Sequence, residues 1–311
     1  MPEMKKILKE GFFYLLVILG IVAYFRRRNR NKITILMYHG VVKLPLKPFC
    51  WTQISGRKLE YQLKYLKKHY SILSISDVMD RIRKGLPLPA NTAVVTFDDG
   101  YRNNFTIAYP LLKRLQIPAT IFLVTGCISD RLLCWPDVLY LGIKNTRQQI
   151  IDLRQHGLKR YPLRTLEEKE IAEQEIVEHL KSILYSKKDA ILDEILKLLM
   201  VQADTNDPNL DLLTWEEIKA IHDERLIEFG AHTITHNILS QMDDNDIKKE
   251  IAESCDTIEK HLGSKCLWFA YPNGRKEDFN HKIMDTLKAN GIICGLSTIP
   301  GLVDRNEDLF E

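Results

Sequence analysis

The stretch Val94-Val95-Thr96-Phe97-Asp98-Asp99-Gly100-Tyr101-Arg102-Asn103-Asn104-Phe105 decides how this chain is read. It opens on a β-branched and aromatic run without polar alternation, the pattern of a strand buried on both faces. The run stops at two adjacent carboxylates, and Gly100 permits a tight turn directly after them. Two acids at the mouth of a buried strand are costly unless a proton or a cation sits between them.

Outward from this stretch, strand-like runs alternate with helical ones. Ile33–Met37 reads as a first buried strand, and residues 92–97 as the central one. Ala119–Val124, Leu226–Ala231, Leu267–Tyr271 and Gly291–Ser297 follow. Helical spacing of apolar residues occupies about 57–70, 74–83 (capped by Ser76 or Asp77), 104–115, 243–262 and 278–290. This order suggests parallel strands joined by right-handed crossovers. The expected fold is α/β, a distorted (β/α) barrel spanning 33–311. Residues 130–212 break the rhythm. Trp135-Pro136 opens a charged stretch rich in helix formers, and Thr165-Leu166-Glu167-Glu168 fits a capping box. We expect a helical insertion here, placed after the third strand where it serves as a lid or wall at the rim.

The net charge of +3 over 311 residues conceals an asymmetry. Residues 1–32 carry +6 and the remainder −3, so the globular part offers no electrostatic case for nucleic acid. Within 1–32, Gly11–Phe25 is an uncharged apolar run flanked by basic residues, with Tyr14 and Tyr24 placed to sit at interfaces. It is short for a spanning helix, and no small-residue cleavage site follows it. We expect an uncleaved N-terminal membrane-anchor helix. The basic flanks lean towards a cytoplasmic domain, although the side stays open. The six cysteines form no C-x-x-C pair and suggest no zinc knuckle.

The chemistry-bearing residues all follow strands: His39, Asp98-Asp99, His232 with His236, and Asn273. In (β/α) barrels the carboxyl ends of the strands build the active site. His232-Thr233-Ile234-Thr235-His236 places two imidazoles four residues apart, a spacing that puts them on one face of a helical turn. With a strand-end Asp they complete a His₂-carboxylate set with open positions, a layout used by hydrolytic metals. The second carboxylate is then free to act as a general base.

Three segments resemble the leading motifs of the polysaccharide deacetylases (carbohydrate esterase family 4). They are Thr96-Phe97-Asp98-Asp99-Gly100, His232–His236 and Phe269-Ala270-Tyr271-Pro272-Asn273-Gly274. Leu36-Met37-Tyr38-His39-Gly40-Val41-Val42 is similar to the start of the poly-N-acetylglucosamine deacetylase branch. The resemblance implies a NodB-like domain that removes N-acetyl groups from an amino-sugar polysaccharide or glycolipid. It implies one divalent metal ion, zinc, held by Asp99, His232 and His236. Asp98 would be the base acting on the attacking water, and the backbone N–H of Asn273 would steady the oxyanion. His39 would be the acid that protonates the leaving amine, a role suited to imidazole. Tyr101, Arg102, Tyr271, Pro272 and Trp135 are candidate substrate contacts. The family's usual Arg is replaced by Ala270, and its C-terminal Leu-x-His is missing, as fits the branch that uses His39. Implied partners are the glycan, the membrane and an envelope polysaccharide synthesis machinery. The alternatives are a deformylase or amidase on another lipid-linked sugar, and a silent glycan-binding subunit.

Overall fold

A computed structural model describes residues 16, 19–201, 207–304 and 308–310. The expected anchor, Gly11–Phe25, falls partly outside the described residues, of which it includes 16 and 19–25. Among the described residues no helix is long and apolar enough to cross a membrane.

The strands, in chain order, are β1 (Thr34–Tyr38), β2 (Gly40–Val42), β3 (Gln53–Ser55), β4 (Ser71–Ile72), β5 (Thr92–Phe97) and β6 (Ala119–Leu123). β7 (Ile150–Asp152), β8 (Arg160–Pro162), β9 (Ile227–Ala231), β10 (Trp268–Ala270) and β11 (Cys294–Leu296) follow. The main sheet is parallel in the order β1-β5-β6-β9-β10-β11, with β4 added beside the start of β5. All six expected strands are therefore present in one sheet. β5 is buried along its whole length, as its uninterrupted apolar run requires.

The sheet is an open half-barrel. Among the described residues β1 and β11 do not pair. A returning C-terminal segment spans the gap instead: Val303 bridges Ile33, and the Gly295 N–H donates to the Leu309 carbonyl at 2.8 Å. The opening corrects one expectation. β1 is not fully buried, because Ile35 and Met37 are each 39% exposed on the face that full closure would have covered. The helix expected at 74–83 begins at Ile75 and is capped by Ser74, whose side chain accepts from the Asp77 N–H.

The main core packs the sheet against the surrounding helices through Leu59, Leu63, Phe97, Ile121, Ile251 and Phe269. The insertion has a separate core built on Leu139, Ile143, Tyr161, Ile176, Leu180 and Ile195. It is not wholly helical. The helices Trp135–Asn145, Leu166–Lys181 and Tyr185–Leu199 enclose an antiparallel pair, β7 with β8, that the helix-rich composition conceals. Each of these strands is only three residues long, too short for alternation to stand out.

Candidate functional site

The carboxyl ends of the central strands converge on one cavity. Asp98 and Asp99 leave β5, and His232 leaves β9 as its N–H donates to the Leu123 carbonyl at the end of β6. Asp99 and Asn273 both have positive φ, 70° and 61°, without being glycine. Such strain persists only where the surroundings over-determine it, and it clusters at functional sites.

Asp99 Oδ1 lies 3.1 Å from His236 Nε2 and 3.5 Å from His232 Nε2. The tautomer of His232 follows from its other nitrogen. Nδ1 is 2.7 Å from the Ala270 carbonyl and must donate to it, so Nε2 turns a bare lone pair towards Asp99. Position 270 thus serves the site through its backbone rather than its side chain. Burial, and then His236, pull the His232 imidazole down to about 3, which keeps it neutral. Burial alone would raise the Asp99 carboxyl, but His236, His39 and His232 hold it below the usual carboxylate range. Asp99 Oδ1 is buried without a hydrogen-bond partner among the described residues. An orphaned carboxylate oxygen facing two imidazole nitrogens fits a divalent cation, and the three side chains offer ligand atoms within 4.8 Å of one another.

The His pair is not on a helix, as its spacing suggested. Thr233 and His236 both take left-handed φ, 67° and 59°, so the segment is a tight loop. It is held from behind by Glu250 on the helix Asp244–Leu262. The buried Glu250 carboxylate accepts from the N–H groups of Ile234 (2.7 Å) and Thr235 (3.1 Å) and from Thr235 Oγ1 (2.6 Å). Gly126 supports the loop from the other side. Its N–H donates to the Ile234 carbonyl at 3.0 Å, and a Cβ there would lie 2.7 Å from that oxygen. Glu250 leaves no mark in the sequence, where it is one acid among several on an amphipathic helix.

Asp98 lines the cavity beside Asp99. Burial, and then the Asp99 charge, push its carboxyl well above the ordinary range. His39 also lines the cavity, and burial pulls its imidazole down against an opposing pull from Asp99. Two asparagines after the Asp pair fix this histidine's position. Asn104 Nδ2 donates to the His39 carbonyl at 2.7 Å, and Asn103 Oδ1 accepts from the Val41 N–H at 2.7 Å. The Asn273 side chain donates to Asp278 at 2.6 Å. Its own N–H has no acceptor among the described residues.

The remaining expected residues divide. Pro272 lines the cavity. Tyr101 and Tyr271 also reach it, but their hydroxyls donate to Asp137 (2.8 Å) and to the Phe310 carbonyl (3.0 Å). Trp135 braces the metal loop, with its Nε1–H donated to the His236 carbonyl at 3.1 Å and Lys188 over its ring. Arg102 is not among the lining residues, because its guanidinium pairs with Glu217 at 2.8 Å. Trp51, which sequence reasoning passed over, stands 56% exposed at the rim with its ring edge-on to His39 at 5.2 Å. The insertion contributes Trp135, Asp137, Tyr140, Glu173, Val177 and Lys181 to the lining, and so forms one wall of the cavity.

A model of the family described as polysaccharide deacetylase matches residues 86–186 and 197–294. The Bacillus subtilis (strain 168) protein provisionally named polysaccharide deacetylase YxkH is 26% identical over 294 residues, 93% of this chain and 72% of that one. A Staphylococcus aureus (strain MSSA476) poly-β-1,6-N-acetyl-D-glucosamine N-deacetylase is 30% identical over 108 residues, covering 34% of this chain and 36% of that enzyme. Among solved structures, the Streptococcus pyogenes deacetylase PplD in complex with acetate superposes with a TM-score of 0.56 at 18% identity, over 90% of this chain and 89% of that one. IcaB from Ammonifex degensii gives 0.53 at 18% identity, over 86% and 84%. These two share the fold. With the family model covering more than half of its length, the chain belongs to the polysaccharide deacetylase family.

Proposed function

We propose that this carbohydrate deacetylase hydrolyses the N-acetyl group of an amino-sugar polymer with a divalent metal, zinc, held by Asp99, His232 and His236. The observation that carries the reading is the orphaned Asp99 Oδ1 set against two imidazole nitrogens, with a second carboxylate and a third imidazole in the same cavity. Two imidazoles and one carboxylate are a donor set that zinc accepts with positions left open. When bound, the ion supplies Lewis-acid polarisation of the acyl oxygen.

The protein's own groups perform the rest. Asp98 takes a proton from the attacking water. The free N–H of Asn273 donates to the oxyanion as the carbonyl becomes tetrahedral. The C–N bond then breaks, with His39 delivering a proton to the departing amine. Burial moves the Asp98 carboxyl up, which favours its taking a proton, and the His39 imidazole down, which favours its giving one up. Similarity to the staphylococcal enzyme supports a poly-N-acetylglucosamine-like substrate and work beside an envelope polysaccharide machinery. The apolar run Gly11–Phe25 with its basic flanks supports attachment to a membrane.

Acetate release from N-acetylglucosamine oligomers should stop with chelator and return with zinc; turnover that ignores chelation would remove the metal from the mechanism. Asp98→Asn should still bind zinc while kcat falls about 10²- to 10⁴-fold. Retained deacetylation by that variant would contradict the base assignment. Glu250→Gln should weaken zinc binding by about 10- to 100-fold in a chelator competition, because one of the two acceptor oxygens holding the loop that aims both histidines becomes an NH2 donor. Unchanged affinity would mean that the loop holds itself. After an alkaline wash the full chain should remain in the membrane pellet, and its release would count against the anchor.

A further inference from the structure

The cavity around Asp99 shares Met37, Trp51, Glu173, Lys181, Asn273 and Thr298 with an outer cavity of about 470 Å³ that also reaches Arg275. The helix Leu166–Lys181 of the insertion lines this outer space with Glu173 and Glu178 and carries Glu170 just before them, and the partners of the three differ. Glu170 accepts the Phe49 N–H at 2.6 Å. Glu178 is bracketed by Lys181 at 2.8 Å and by Arg275 at 2.7 Å. Glu173, between them in the sequence and shared by both cavities, has no hydrogen bond or ion pair among the described residues. The two cations of the rim, Lys181 and Arg275, are both committed to Glu178. Trp51 also lines both cavities and is 56% exposed.

We propose that Glu173 and Trp51 form a second saccharide site that takes a cationic amino sugar, the neighbouring unit of the same polymer after its acetyl group has been removed. The proposal rests on the deacetylase reading above. The exposed indole offers an apolar face to a pyranose ring and attracts an ammonium group. Glu173 offers that ammonium an uncommitted, partly desolvated carboxylate, where a charge-assisted hydrogen bond is strongest. Burial pushes the Glu173 carboxyl up to about 7 against an opposing pull from Lys181, whose ammonium is bonded to Glu178. The reaction itself makes the missing cation, because each hydrolysis converts a neutral acetamide into a protonated primary amine. A site for that product beside the metal favours the next acetylated unit along a chain that the enzyme has already begun to modify.

The test compares a fully acetylated N-acetylglucosamine tetramer with one bearing a single free amine beside an acetylated unit. The wild-type protein should show a KM about tenfold lower for the mixed oligomer, the effect of one added charge-assisted contact. In Glu173→Gln the ratio of the two KM values should fall to about one. An unchanged ratio in the variant, or no preference in the wild type, would overturn the site. Titration calorimetry with fully deacetylated glucosamine tetramer makes the same test without turnover. Binding should weaken about tenfold in Glu173→Gln, and equal binding would overturn the proposal. Acetate release from neither tetramer, with glucosamine binding still dependent on Glu173, would count against the deacetylase reading and not against this site.

Discussion

Two adjacent carboxylates at the end of a strand buried on both faces create a demand for positive charge that most of the surrounding structure answers. Asp98 and Asp99 cannot both ionise there without a cation, and the side chains brought nearest are imidazoles rather than arginine or lysine. A cationic side chain would satisfy the acids and end the matter as a structural ion pair. Imidazoles, which present a lone pair when neutral, leave that demand open to a bound cation. The left-handed backbone at Asp99, Thr233 and His236 is the conformational cost of aiming three short side chains at one point. Glu250 is the anchor that lets the loop hold that shape.

The parts legible in the sequence were those whose signal is local. β5 announces itself because a strand covered on both faces needs apolar residues at every position, and its end is marked by a change of chemistry. The proposed ligands Asp99, His232 and His236 lie in two short motifs at strand ends, where the sequence marks them. The backbone of the second motif was misread. His232 and His236 have helical spacing, yet they meet through a loop with two left-handed residues, and nothing in Thr-Ile-Thr signals that. Glu250 acts on a loop 15 to 16 residues away in sequence, through an orientation that only the packed helix determines. Arg102 adjoins the acidic motif in sequence, but it points to Glu217 because the chain turns between them. The half-open barrel escaped notice for a similar reason: closure depends on twist and on what the C-terminal segment covers, neither of which is a property of any single strand.

The insertion shows how a shared catalytic layout can be given a particular substrate surface. Its apolar core is separate from that of the sheet, so its sequence can vary without disturbing the strand ends that carry the chemistry. It nevertheless touches the metal loop through Trp135 and the Lys188–Asn237 contact. Shape recognition and chemistry are therefore built on different cores and joined at a few polar contacts.

The bridge between Ile33 and Val303 has a directional consequence. Ile33 stands at the amino end of β1, and every strand of the main sheet runs the same way. The catalytic cavity opens at the opposite end, about 17 Å along the five residues of β1. The chain therefore enters the sheet at the end remote from the cavity mouth, and a glycan that reaches Asp99 approaches the domain from the side opposite that entry.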